Sequence, residues 1–333
     1  MNSIINLLQQ INILCNNRDY VNEIINVNKK PNKKPKKISN KDLPKYLPNK
    51  QNYILTGNTL DINKVCVRWN EYVDAYGANH NKKFDNKQVN CIRIVTYNIR
   101  FGEDRCNSAD NHHSILLFVE KVKPDIICFQ EVPMNNTLTK GGYNIKPYFG
   151  IKRFNNQNAN NYFKREMINK GYLYDYCYAG WVIGNAIYYK NNLTISKNKF
   201  TSWPNKITKK RCMTGIKYKN TNIITTHLEI DTLTRLQNAQ DFVGQIQNNN
   251  IDLDNTIILG DFNSTIDSNI MNLFKSNKLV SAFDNKSPPT TSLFDEVVDH
   301  ILIPNNYKNK VKQCDICLIK HSDHFPIILD IEL

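Results

Sequence analysis

The chain has 333 residues, 41% hydrophobic and 10% aromatic, enough for one large domain with an extension or for two modest domains. No run approaches the roughly 20 apolar residues of a membrane-spanning helix, and the opening MNSIINLLQQINILCNN lacks the basic and continuous apolar regions of a signal peptide. A net charge of +14 points to a polyanionic partner, either nucleic acid or an anionic membrane surface, although residues 29–50, with nine Lys and one Asp, carry +8 of it.

In chain order, residues 1–28 place Ile4, Ile5, Leu7, Leu8, Ile11 and Leu14 on one helical stripe, weakened by many Asn. KKPNKKPKK at 29–37, with Pro44 and Pro48 beyond it, reads as an extended solvated linker. The same run also fits a nuclear-localisation or nucleic-acid-contacting segment. A helix is expected around Val65–Tyr76, stopping before Gly77. The composition changes at Cys91, so residues 1–90 are expected to form an N-terminal extension and 91–333 the main domain.

From Ile92 strands and helices alternate. IRIVTYNI (92–99) and DIICFQEV (125–132) are expected strands, separated by a helix that Ser114 would cap and Pro124 would stop. WVIGNAIYYK (181–190), TNIITTHLE (221–229) and TIILGDFN (256–263) are further strands, with a helix from about Leu233 to Gln247 between the last two. DEVVDHILI (295–303) and PIILDIEL (326–333) complete the set. Several are apolar almost throughout, as in sheets buried on both faces between layers. Tyr172, Tyr174, Tyr176 and Tyr178 alternate, which suits a half-buried strand face and less simply a base-stacking surface.

Nine scattered cysteines, an odd number, do not form a disulfide framework; an intracellular, reducing compartment is expected. Cys314 and Cys317 form a CxxC with no second pair, so plain thiols are expected rather than zinc ligands.

Polar side chains recur where buried strands end. Asn98 follows IVTY, Glu131 follows IICFQ, His227 follows IITT, Asp261 and Asn263 follow IILG, and Asp323 and His324 precede FPIIL. Asp299 and His300 interrupt VVDHILI. After Thr256 and the three apolar residues 257–259, Gly260 is expected to let the backbone turn; a strand running on would put Asp261 and Asn263 on one side.

The ordered set TYNI, QEV, GNAIYY, THLE, GDFN, VDHI and SDH resembles the endonuclease/exonuclease/phosphatase family of metal-dependent phosphodiesterases, over about Ile92 to Leu333. The resemblance implies an α/β fold: a four-layer α/β sandwich of two packed mixed sheets, deoxyribonuclease-like, with the site at one end. It implies Glu131 as principal Mg²⁺ ligand (Mn²⁺ being an alternative), with Asn98 and Asp323 beside the ion. It gives Asp261 the orienting or deprotonation of water and Asn263 the holding of phosphate. His324 would contact the phosphate with Asp299 as its carboxylate partner, and His227 would be a candidate general acid.

The residue chemistry agrees with that picture. A phosphodiester repels hydroxide, so its hydrolysis needs charge neutralisation and an aimed water, and hard oxygen donors suit Mg²⁺. Arg235 and the basic turn Lys209-Lys210-Arg211 are candidate substrate contacts. The expected activity is a metal-dependent phosphodiesterase acting on nucleic acid as a monomer. The alternatives are a lipid phosphodiesterase and a catalytically inactive binding module on the same fold.

Overall fold

The computed structural model describes residues 62–102, 111–133, 157–178, 183–198, 211–283, 290 and 296–333, and the backbone at 55–56 and 59–60. The helix expected in 1–28, the lysine-rich run at 29–37 and Lys210 lie outside the described residues. The chain divides into two compact units, Met1–Asp61 and Ile62–Leu333. In the first, Leu55–Thr56 pairs antiparallel with Thr59–Leu60.

The second unit begins at Ile62, upstream of the boundary expected near Cys91. Its first helix, α1 (Ile62–Asn81), runs through Gly77 instead of stopping there. A Cβ at Gly77 would lie 2.9 Å from the Leu318 carbonyl oxygen, so this glycine permits close approach to another segment rather than ending the helix. At the end of α1, Asn81 fastens Leu318 from both sides: its Nδ2 donates to the Leu318 carbonyl and its Oδ1 accepts from the Leu318 N–H, each at 2.8 Å.

The elements that follow are β1 (Ile92–Asn98), α2 (His112–Val122), β2 (Ile126–Pro133), α3 (Gln157–Asn169), β3 (Tyr172–Tyr178), β4 (Ile183–Lys190), β5 (Ile195–Asn198), β6 (Met213–Tyr218) and β7 (Thr221–His227). Then come α4 (Thr232–Asn248), β8 (Thr256–Asp261), α5 (Asn269–Ser276), β9 (Leu279–Ser281), β10 (Asp299–Pro304), β11 (Val311–Ile316) and β12 (Ile327–Ile331). Helix α2 starts at His112, two residues before the expected cap Ser114, and ends in a left-handed Lys123 just before Pro124. Helix α4 is capped by Asp231, whose side chain accepts from the Thr234 N–H.

Two six-stranded mixed sheets result, in the orders β11-β12-β1-β2-β4-β3 and β9-β10-β8-β7-β6-β5. Each holds one parallel pair at its centre, β1 with β2 and β7 with β8, flanked by antiparallel neighbours. Parallel neighbours need a crossover, and α2 and α4 supply it.

Alternation then sorts the layers. Val95 and Tyr97 of β1 pack with Ile127 and Phe129 of β2 beneath α2 and α3. Ile224 of β7 and Ile258 of β8 pack likewise against α4 and α5. The intervening residues face the opposite sheet, where Gln130 Nε2 donates to Thr225 Oγ1 at 2.9 Å. Helix, sheet, sheet, helix is the expected four-layer sandwich.

Three of the alternating tyrosines belong to the outer core. Tyr172 is buried, Tyr174 and Tyr176 pack against the same cluster, and Tyr172 Oη donates to the Pro124 carbonyl at 2.6 Å. Cys177 and Cys212 form a disulfide with a Cα–Cα distance of 6.1 Å, a pairing that the scattered cysteine spacing did not point to. Cys314 and Cys317 are free. No described helix is long and apolar enough to cross a membrane.

Candidate active site

The inter-sheet faces change character along the two parallel pairs. In β1 the sequence Ile94, Thr96, Asn98 moves from aliphatic to polar, and in β8 Ile257, Leu259, Asp261 does the same. The polar ends of the two sheets meet. Asn98 Nδ2 donates to Asp261 Oδ2 at 3.0 Å and to Glu131 Oε1 at 3.2 Å. Two residues 163 positions apart, on different sheets, thus share one hydrogen bond.

Local backbone geometry delivers the other side chains. Strict alternation would turn Glu131 away from the face that carries Gln130. A register shift between Phe129 and Val132, with Glu131 at φ 56°, redirects it toward Asn98. For a residue with a Cβ this left-handed conformation costs about 1–2 kcal/mol.

The expected turn at Gly260 is not where the strand ends. Gly260 stays paired with Thr226 and His300, and β8 ends at Asp261. Its φ of 145° and the 2.0 Å that would separate a Cβ from the Thr226 carbonyl oxygen explain why glycine stands here. Asn263 reaches the site by a left-handed turn at φ 48°, not by continuing the strand. Its N–H donates to Asp261 Oδ1 at 2.8 Å, and its Nδ2 donates to the Leu228 carbonyl at 2.9 Å and approaches His227 Nε2 at 3.2 Å.

His324 completes the ring. Its Nδ1 donates to Asp299 Oδ2 at 2.8 Å, leaving Nε2 facing Asp261 Oδ2 at 3.7 Å. Asp323 is buried; Ser322 Oγ donates to the Asn98 carbonyl at 2.8 Å and lies 3.2 Å from Asp323 Oδ1. Arg100 Nε stands 3.7 Å from the other Asp323 oxygen.

The electrostatics separate these groups. Burial, then Asp323, pushes the Glu131 carboxyl up. Burial and the Asp299 charge push Asp261 up to about 7. For His324, burial pulls downward but Asp299, Asp261 and Asp323 outweigh it, holding the imidazolium well above its usual range. His227 goes the other way: burial, Arg211 and His324 drive it well below the ordinary range. Its Nε2 lies 3.2 Å from Asn263 Nδ2 and 3.5 Å from Asp261 Oδ2.

Arg211 is buried and pairs with Glu229, Nη2 to Oε1 at 3.2 Å. Arg235 lies on α4, half-buried, with Asp261 among the charges acting on it. Sequence reasoning missed Ser322, Gln130 and Glu229. Each is a polar residue beside an assigned one, and only the packed sheets show that all three are buried.

Oxygen atoms dominate the cluster. One ligand atom from each of Asp261, Asp299 and His324 lies within 4.8 Å of the others, and Asp299 Oδ1 has no hydrogen-bond partner despite burial. Hard, crowded, partly unsatisfied carboxylates are the donor set a divalent cation takes.

Residues 95–324 match the model of the Endonuclease/Exonuclease/phosphatase family. No curated protein matches the sequence. Similar solved structures include an AP endonuclease from Archaeoglobus fulgidus, at 15% identity and TM-score 0.52, covering 73% of this chain and 100% of the other. The human Nocturnin catalytic domain with bound sulfate has 18% identity and TM-score 0.50, covering 72% and 92%. An endonuclease/exonuclease/phosphatase from Bacteroides vulgatus has 17% identity and TM-score 0.51, covering 73% and 99%. The family match covers most of both parallel pairs and the residues at their ends, so this chain belongs to the Endonuclease/Exonuclease/phosphatase family.

Proposed function

We propose that the protein is a Mg²⁺-dependent phosphodiesterase that hydrolyses nucleic acid by in-line attack of a water. The observation that carries this reading is the continuous network from Glu131 through Asn98 and Asp261 to Asn263 and His227, built from both sheets. Glu131 and Asp323, with Asn98, would hold the ion. A protonated His324 bonded to Asp299 makes the Asp261–Asp299–His324 trio a poorer alternative. When bound, Mg²⁺ supplies Lewis-acid neutralisation of phosphate charge, and Mn²⁺ fits the same donors.

The chain's own groups divide the remaining work. Asp261, with a carboxyl pushed to about 7, is suited to orient a water and take its proton near neutral pH. Asn98 and the Asn263 N–H fix the carboxylate's orientation. His324, kept cationic by Asp299, presents Nε2 to a phosphate oxygen. His227, its pKa lowered by burial, stands against both Asn263 and Asp261 in this reading. Arg211 and Arg235 contribute positive charge around the phosphate, as Lys210 would.

Nucleic acid is preferred as substrate because of the +14 charge and the lysine run at 29–37, which also fits a nuclear address in an intracellular protein. The AP endonuclease among the similar structures is in keeping with this choice. One observation favours a lipid phosphodiester as the second reading. Ile230 and Leu233, just beyond His227, are 66% and 78% exposed.

A substrate panel separates the two. Purified full-length protein with Mg²⁺ is offered abasic duplex, single- and double-stranded DNA, RNA, and sphingomyelin or phosphoinositide vesicles. Cleavage of a nucleic acid, abolished by EDTA, is expected. Cleavage of lipid alone would replace the first reading with the second, and no cleavage of any phosphodiester would overturn both.

A further inference from the structure

The Arg211–Glu229 pair is buried but incompletely bonded. Arg211 is 7% exposed and Glu229 5%, yet each keeps a buried atom without a partner, Arg211 Nε and Glu229 Oε2. By contrast, the fully buried Arg93 is satisfied all round, by Asp330 and by the carbonyls of Phe84, Asn86 and Val122. Leaving a guanidinium and a carboxylate incompletely bonded in a dry site costs stability, and such exceptions call for a reason.

The position of the pair suggests one. Glu229 follows His227 by two residues, and its Oε1 also accepts from the Ile230 N–H at 3.0 Å, which fixes the carboxylate to the chain leaving β7. Arg211 precedes Cys212, whose carbonyl accepts from Asn185 Nδ2 at 2.9 Å and whose sulfur is bridged to Cys177 on the other sheet. The backbone around the pair is therefore held on both sides. The Arg211 charge acts on Glu131 in one sheet and on His227 in the other. Met213 pairs with Thr226, which sets Arg211 beside the end of β7 that carries His227, where an arginine fork suits a phosphate oxygen.

We infer that Glu229 is a positioning residue: its carboxylate holds the Arg211 guanidinium in the orientation in which it receives a substrate phosphate. This rests on the phosphodiesterase reading above, which gives the site its phosphate. The sign of the effect separates positioning from simple charge. Removing a carboxylate near an anion site should tighten anion binding if Glu229 acts only through its field. It should weaken binding if Glu229 holds the arginine.

The test is a double-mutant cycle on inorganic phosphate binding, measured calorimetrically with the full-length protein, which needs no turnover. Glu229→Ala is expected to weaken phosphate binding about tenfold, on the scale of a hydrogen bond to a charged group. Arg211→Ala should weaken it at least as much, and the double variant no further than Arg211→Ala alone. Glu229→Gln, which keeps the acceptor oxygen, guards against loss of fold in Glu229→Ala, and its effect should fall between wild type and the alanine variant. Tighter binding in Glu229→Gln, or losses that add in the double variant, would overturn the assignment. Absence of phosphodiester cleavage by wild type would sink the phosphodiesterase reading while leaving the cycle itself readable.

Discussion

At Asp261 opposing influences meet in one side chain. Burial and Asp299 favour the neutral acid, while the hydrogen bonds from Asn98 and Asn263 and the His324 charge favour the anion; the balance lies at about 7. A carboxyl whose folded value is raised binds more protons in the native state than in the unfolded one. Its contribution to stability is therefore lost as pH rises from its ordinary range through about 7. In metal-free buffer, Asp261→Asn should melt above wild type at pH 8 and close to it near pH 4, while its phosphodiester cleavage falls by roughly 10³-fold or more. A variant less stable than wild type at pH 8 would contradict the assigned shift. His324→Ala should cost a comparable factor in kcat, and Asp299→Asn less, because the imidazole keeps a hydrogen-bond partner.

At the scale of elements, the site depends on backbone irregularities that periodicity does not encode. The strands could be read because Ile, Val and Thr runs at 92–98, 126–133, 221–227 and 256–261 are apolar enough to be buried on both faces. Short edge strands such as β5 and β9 carry no such run and went unseen. The helical glycine 77 looked like a stop because a contact with Leu318, far along the chain, cannot be seen locally. The residues of the site were legible as polar interruptions at strand ends, and the family resemblance assigned their roles. What the sequence did not reveal was how Glu131 turns inward, since that takes a bulge and a positive φ. Gly260 offers the direct test of this local geometry. Gly260→Ala adds a Cβ against the Thr226 carbonyl at a backbone angle that side chains avoid, and should lower stability by about 2–4 kcal/mol in urea melts. A change under about 0.5 kcal/mol would mean that β7 and β8 do not approach as closely as described.

Over the whole molecule, each sheet repeats one device: a central parallel pair, its crossover helix outside, and polar residues at the far ends facing the other sheet. Apolar side chains bind each sheet to its helices, and the polar ends meet only because the sheets stack. Away from the site, Arg93 and Asp330 tie β1, β12 and the turn at 84–86 together in a pair fully removed from water. Asp330→Asn strands a buried guanidinium and should cost about 3–5 kcal/mol without altering the chemistry of the folded fraction. In the proposed reaction Glu131 from one sheet and Asp261 from the other act as one catalytic unit. Single-turnover rates with Mg²⁺ for Glu131→Gln, Asp261→Asn and the double variant, on whichever phosphodiester the wild type cleaves, test it most directly. Residues acting as a unit lose nearly everything at the first removal, so each single variant should fall by roughly 10³-fold or more and the double variant little further. Small losses that multiply would contradict a shared site.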